Sequence, residues 1–177
     1  LWGIEYRSKV PHAVVSGIIV EFLETRDQSG PFLWDKTQQI PIQVSAGDWY
    51  YGHVVYNGWV HRGHTIGNPL IISPGYNTDG YLGFKSSRVE ALHIGIDGHI
   101  TPEFDYRFLA SLQRGWGTPY FPYIKIEKEF SGMLEVNYAP RQLQGWKFGL
   151  SMAVDAGTLV DNNWAIQLGI CKSGRIL

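Results

Sequence analysis

Apolar and polar positions alternate along most of this chain, most clearly downstream. From Trp146 one set reads Trp146, Phe148, Leu150, Met152, Val154, and the interleaved set reads Lys147, Gly149, Ser151, Ala153, Asp155. Trp164, Ile166, Leu168 and Ile170 repeat the pattern against Asn163, Ala165, Gln167, Gly169 and Cys171. Phe104, Tyr106, Phe108, Ala110, Leu112 alternate with Glu103, Asp105, Arg107, Leu109, Ser111. Shorter runs do the same around Leu92–Ile94–Ile96, Gly132–Leu134–Val136–Tyr138, Ile18–Val20–Phe22 and Trp2–Ile4–Tyr6. A period of two places each set on one face of a β-sheet. The pattern predicts seven strands, most about ten residues long, where about five or six is usual. About nine to eleven residues is the length that crosses a bilayer at a tilt.

The predicted connections differ in length. Those at 8–12, 98–100 and 139–145 are short, 155–162 is medium, 114–127 is long, and 27–87 is very long. Short turns at one side and long loops at the other are the pattern of outer-membrane barrels. The long loops would then face outside. Aromatics cluster toward strand ends at Trp2, Tyr6, Phe104, Tyr138, Trp146 and Trp164, as interfacial girdles do. Glu5, Arg7, Glu21, Asp105, Arg107, Glu135 and Lys147 fall on the opposite face and suit a hydrated lumen. A soluble sandwich reverses the assignment, with the apolar face as core. Periodicity alone does not separate the two, and strand length with loop asymmetry favours the barrel.

Composition narrows the field. Fifteen Lys+Arg against 16 Asp+Glu leave no net field for phosphates, which argues against nucleic acid as a partner. The single cysteine, Cys171, excludes an internal disulfide framework and a cysteine zinc site. Glycine at 21 of 177 and aromatics at 14% favour a turn-rich all-β protein. The longest charge-free run, 63–78, holds His64, Asn68 and two prolines, so no transmembrane helix is expected. The chain opens at Leu1 without a Met or a basic-then-apolar leader, as expected of a processed protein or a segment of a longer one.

Several blocks carry a family resemblance. They are Tyr50-Tyr51 with Tyr56-Asn57-Gly58-Trp59, then Gly67-Asn68-Pro69-Leu70 with Ser73-Pro74, and Arg88-Val89. His93-x-Gly95, Tyr106-Arg107, Trp116-Gly117-Thr118 and Gly145-Trp146 follow in order. Together this ordered set resembles the Wzi-type capsule assembly family of outer-membrane proteins. The resemblance implies an all-β, antiparallel transmembrane barrel at the cell surface of a Gram-negative cell. It implies a part in assembling or attaching capsular or other surface polysaccharide, beside outer-membrane lipid and other envelope assembly proteins. Family barrels are larger than seven strands, so residues 1–177 are expected to be one barrel segment, the C-terminal part of a longer chain or a divergent short member. Residues 27–87 would form a long extracellular insertion. The end, Ser173-Gly174-Arg175-Ile176-Leu177, lacks the terminal aromatic common in such strands.

The long segment holds Trp34, Asp48, Trp49, Tyr50, Tyr51, His53, Tyr56, Trp59, His61, Arg62, His64 and Asn68. Sugars offer flat C–H faces to aromatic rings and hydroxyls to polar side chains, so this mixture is a candidate glycan-binding surface. The plainer reading is that these aromatics fold the loop. His53, His61 and His64 lack the helical spacing of a zinc motif, and no metal or cofactor is expected. Glu103 with Asp105, or Asp48 with Glu21, could be imagined as a glycosidase pair. Glu103 and Asp105 suit lumen charges beside Arg107 better. No nucleophile elbow, Walker motif or Gly-rich dinucleotide loop occurs, and a non-catalytic binding protein is the expectation. A soluble sandwich carbohydrate-binding module and a porin-like channel are the alternatives.

Overall fold

The computed structural model describes residues 1–28, 38–39, 49–51, 59–76 and 82–174. Every element among them is a strand. In chain order these are β1 (Trp2–Arg7), β2 (Gly17–Glu24), β3 (Val60–His61), β4 (His64–Thr65), β5 (Gly75–Tyr76) and β6 (Leu82–Gly83). The long strands follow: β7 (Val89–Thr101), β8 (Phe104–Gly117), β9 (Pro122–Tyr138), β10 (Trp146–Gly157) and β11 (Asn163–Lys172). Seven strands form one sheet in the order β1-β2-β7-β8-β9-β10-β11, while β3 pairs β4 and β5 pairs β6. The β1–β2, β9–β10 and β10–β11 pairs are antiparallel. Backbone bonds from Thr25 to Val89, Ser16 to Asp97 and His99 to Ala13 run in opposite chain directions, so β2 and β7 are antiparallel too. β1 and β11 stand at the two margins, each with one neighbour among the described residues.

The chain divides into two compact units. One comprises Leu1–Phe22, Leu92–Leu112 and Glu129–Leu177. Its register sets apolar side chains in rows across three strands: Tyr138–Phe148–Ile170, Val136–Leu150–Leu168, Leu134–Met152–Ile166 and Gly132–Val154–Trp164. These rows are not a core. Leu168 is 80% exposed, Trp164 77% and Ile170 70%. Over Gly132 the missing side chain leaves an open apolar recess of about 350 Å³ between Phe108, Phe130, Leu134, Met152, Val154 and Trp164. Asp97 pairs with Arg7 at 2.9 Å, Glu135 with Arg107 at 2.6 Å and Asp105 with Lys147 at 3.4 Å. Asn137 ties the last two pairs together by donating to both Asp105 and Glu135 at 2.8 Å. Exposed pairs of this kind contribute little each, so they order the polar face more than they stabilise it. The β10–β11 loop is held from below: the buried Glu129 carboxylate accepts the Leu159 and Val160 N–H groups at 3.0 Å each.

The second unit comprises Leu23–Ala91 and Gln113–Lys128. It holds most of the buried apolar side chains: Trp49, Ile71 and Phe84 as a cluster, with Val89, Ala91 and Trp116. A polar seam lies among them. Ser87 and Arg88 N–H both donate to the Gly117 carbonyl at 3.0 Å, and Trp116 N–H returns to Arg88 O at 2.9 Å. The Thr25 hydroxyl donates to Ser87 O at 2.8 Å and accepts from Val89 N–H at 3.0 Å.

Two sequence expectations are corrected here. The stretch 98–100 is not a turn but continues β7, and the reversal falls at 102–103. Gly98 marks a close approach: a Cβ there would sit 1.8 Å from the Val14 carbonyl oxygen. Nor is 114–127 a long loop, because β8 runs to Gly117 and β9 starts at Pro122. Pro122 occupies the first position of its strand, where the missing N–H costs little. The prolines read as a break, yet Trp116, Ile124 and Ile126 continue the alternation. Gly98→Ala is expected to destabilise the protein by roughly 1–3 kcal/mol, because backbone and not a side-chain tip must yield. A lower midpoint of urea unfolding measures it, and an unchanged midpoint would show that the approach to Val14 is not tight.

Candidate functional site

The described part of the long segment separates the candidate residues by what they touch. Trp34, Asp48, His53 and Tyr56 lie outside the described residues. Trp49 is 7% exposed and meets Phe84 edge-on at 5.3 Å and Tyr120 at 5.7 Å. Tyr51 packs on the same cluster, with its ring 6.2 Å from Phe84. Trp49 therefore belongs to the core of its unit, and the partly buried Tyr51 packs against it. Asn68 is structural as well. Its side-chain oxygen accepts the Leu70 N–H at 3.0 Å and its carbonyl accepts the Ile71 N–H at 3.3 Å, closing an Asx-type turn.

Tyr50, Trp59, His61, Arg62 and His64 are exposed. Four of these belong to one hairpin. β3 and β4 pair Val60 with Thr65 and His61 with His64. The ladder extends one step further, since Ile66 N–H donates to Trp59 O at 2.9 Å. Arg62 and Gly63 form the turn with φ of 49° and 82°. Both central residues at positive φ define the hairpin turn whose twist matches its strands. Alternation then sorts the side chains. Val60 faces the Trp49–Ile71–Phe84 cluster, and the Thr65 hydroxyl bonds inward to Asn68 and Ile71 carbonyls. Trp59, His61, His64 and Ile66 share the outward face. Ser73 pins the inner side by accepting the Thr65 N–H at 2.9 Å.

The sequence reading did not single out the charged group beside Trp116 as a site. Arg26 lies 4.9 Å over the Trp116 ring and pairs with Glu24 and, at 3.8 Å, with Glu90. Arg114 reaches the other Glu90 oxygen at 3.6 Å. Arg88 is buried and donates from Nε to Arg26 O at 3.1 Å. Burial lowers its pKa below the ordinary 12.5, Asp27 works against that, and Arg26 adds to it. The signal available was a run of three polar residues, Ser86-Ser87-Arg88, leading into an apolar strand. Glu103 and Asp105, weighed as catalytic carboxylates, hold Arg141 at 3.2 Å and Lys147 at 3.4 Å. Among the described residues no group of three His, Cys, Asp or Glu side chains is placed to hold a metal ion.

No family model, curated protein or solved structure matches this chain.

Burial raises the Tyr51 phenol above its ordinary 10.0, against a hydrogen bond from Asn68 that pulls it down. Because the folded value exceeds the unfolded one, the stabilisation is whole below the unfolded pKa near 10.0 and is lost as pH rises through the folded value. Stability measured by urea titration should therefore hold from neutral pH upward and fall above pH ~10, with a shallower fall in Tyr51→Phe. An identical alkaline profile in Y51F would show that Tyr51 does not carry the effect.

Proposed function

We propose that this chain is part of a transmembrane β-barrel in the cell outer membrane. It belongs, on this reading, to the Wzi-type capsule assembly family, and its β2–β7 segment binds surface or capsular polysaccharide without catalysing a reaction. One observation carries the membrane half: the apolar face of the sheet is exposed. A soluble sandwich would place Phe104, Phe108, Leu150 and Leu168 in a dry interior. Instead Leu150 is 40% exposed, Phe108 39% and Leu168 80%, in register with other exposed apolar side chains. Burying one Leu or Ile fully is worth about 1.5–3 kcal/mol, so leaving rows of them in water is costly. A contiguous patch of this extent marks contact with lipid or another apolar surface. Hydrocarbon offers that contact, and the sheet satisfies its backbone groups laterally, as lipid requires.

The glycan half rests on the exposed Trp59, Tyr50, His61, Arg62 and His64, and on the ordered sequence blocks. Aromatic faces beside N–H donors are the chemistry that sugars need. The reading invokes no cofactor. Partners would be polysaccharide, outer-membrane lipid and other envelope assembly proteins. A porin-like channel is the second reading, favoured by the ion pairs along the polar face.

Leu168→Arg places a charge on the apolar face, where about 2–4 kcal/mol is lost near a bilayer midplane. L168R should fail to assemble into the outer-membrane fraction, while Gln167→Arg on the opposite face assembles normally. Equal assembly of both, or wild-type protein soluble without detergent, would sink the membrane half. Retention of capsular polysaccharide by the purified full-length protein in detergent tests the glycan half. No retention, together with ion conductance in planar bilayers, would favour the channel.

A further inference from the structure

We infer that the outward face of the β3–β4 hairpin is a recognition site for anionic sugar residues, with Arg62 at its apex taking the carboxylate. This rests on the glycan-binding reading above and gives it a substrate class. Four observations converge. First, Trp59 is 55% exposed and shares its face with His61, His64 and Ile66, so a sugar ring stacked on the indole has imidazole N–H donors beside it. Second, Arg62 holds φ at 49° in a turn position that normally takes Asn, Asp or Gly. A long β-carbon-bearing side chain is disfavoured there, so turn formation does not account for arginine. Strain of this kind gathers at functional positions.

Third, Arg62 is exposed and has no hydrogen bond or ion pair among the described residues, whereas Arg7, Arg26, Arg107, Arg114 and Arg141 each hold a carboxylate. Its donor fork is open to a ligand oxyanion, and guanidinium matches carboxylate with two parallel N–H···O bonds. Fourth, the sequence from Trp49 to Thr78 contains no Asp or Glu, so nothing on the hairpin competes for that charge or repels an anion. The hairpin also presents a fixed geometry, because Val60 is packed on the core and Thr65 is bonded to Ser73, Asn68 and Ile71. Stacking on Trp59 would orient the sugar, and Arg62 would select for its charge.

The experiment uses the full protein in detergent with polygalacturonate, alginate and hyaluronan as probes, each beside its carboxyl-reduced neutral form. Arg62→Asn is the variant, since Asn-Gly is the strongest two-residue hairpin turn and keeps the fold. The expected result is binding of at least one uronate polymer, at least tenfold weaker binding of its reduced form, and loss of that preference in R62N with an unchanged urea midpoint. The preference should also shrink as salt rises from 50 to 500 mM. Equal binding of charged and neutral forms, or an unaltered preference in R62N, overturns the inference and leaves glycan binding standing. Binding of neither form removes the glycan reading and the inference with it.

Discussion

A hydrogen-bonded sheet presents both of its faces to whatever surrounds it, and the surroundings of the apolar face constrain everything else in this chain. Backbone pairing from β1 to β11 satisfies the main chain of the inner strands without regard to medium. Side-chain alternation then assigns Leu150, Met152, Leu168 and Ile170 to one side and Lys147, Ser151 and Gln167 to the other. With the apolar side exposed, the unit has almost no interior of its own. Pro140 and Leu159 are its buried apolar side chains among the described residues, Leu159 in a loop that Glu129 anchors. Such an arrangement leaves rows of apolar side chains that a second apolar surface would stabilise by covering.

The other unit is built on the opposite principle. Its aromatic residues are spent inward, on Trp49, Phe84 and Trp116, and its backbone is locked by Thr25, Ser87, Arg88 and Gly117. That interior is what holds a two-residue ladder such as β3–β4 in place. An isolated hairpin of this size is marginal in water, and here Val60 and Thr65 fasten it to a core and leave the other face unencumbered. Rigid presentation lowers the entropy lost on binding.

The long strands were legible in the sequence because a period of two survives over ten residues and glycine does not erase it. Their ends were not. The stretches 98–100 and 114–127 were expected as connections, yet Gly98 answers a close carbonyl within β7 and Gly117 ends a strand that runs past the tryptophan before it. Pro122 read as a breaker because propensity ignores position within a strand. For the candidate residues, composition grouped aromatic and polar side chains and could not sort buried from exposed. Trp49 and Tyr51 are as sugar-like in sequence as Trp59, and only burial separates them. Asn68 looked like a hydrogen-bonding tip and is instead the pivot of a turn. Arg88 went unnoticed as chemistry because a buried arginine has no sequence signature beyond its apolar neighbour.

The odd number of strands in the sheet bears on how its margins could ever be sealed. Direction reverses at each step across seven strands, so β1 and β11 point the same way. If they met each other, or if two copies inserted in one orientation met margin to margin, the seam would be parallel. Its hydrogen bonds would be slanted and somewhat weaker than every other pair in the ring. A cylinder uniform all the way round demands instead an odd complement of further strands between the two margins. On the barrel reading proposed above, that complement would set the diameter of the ring.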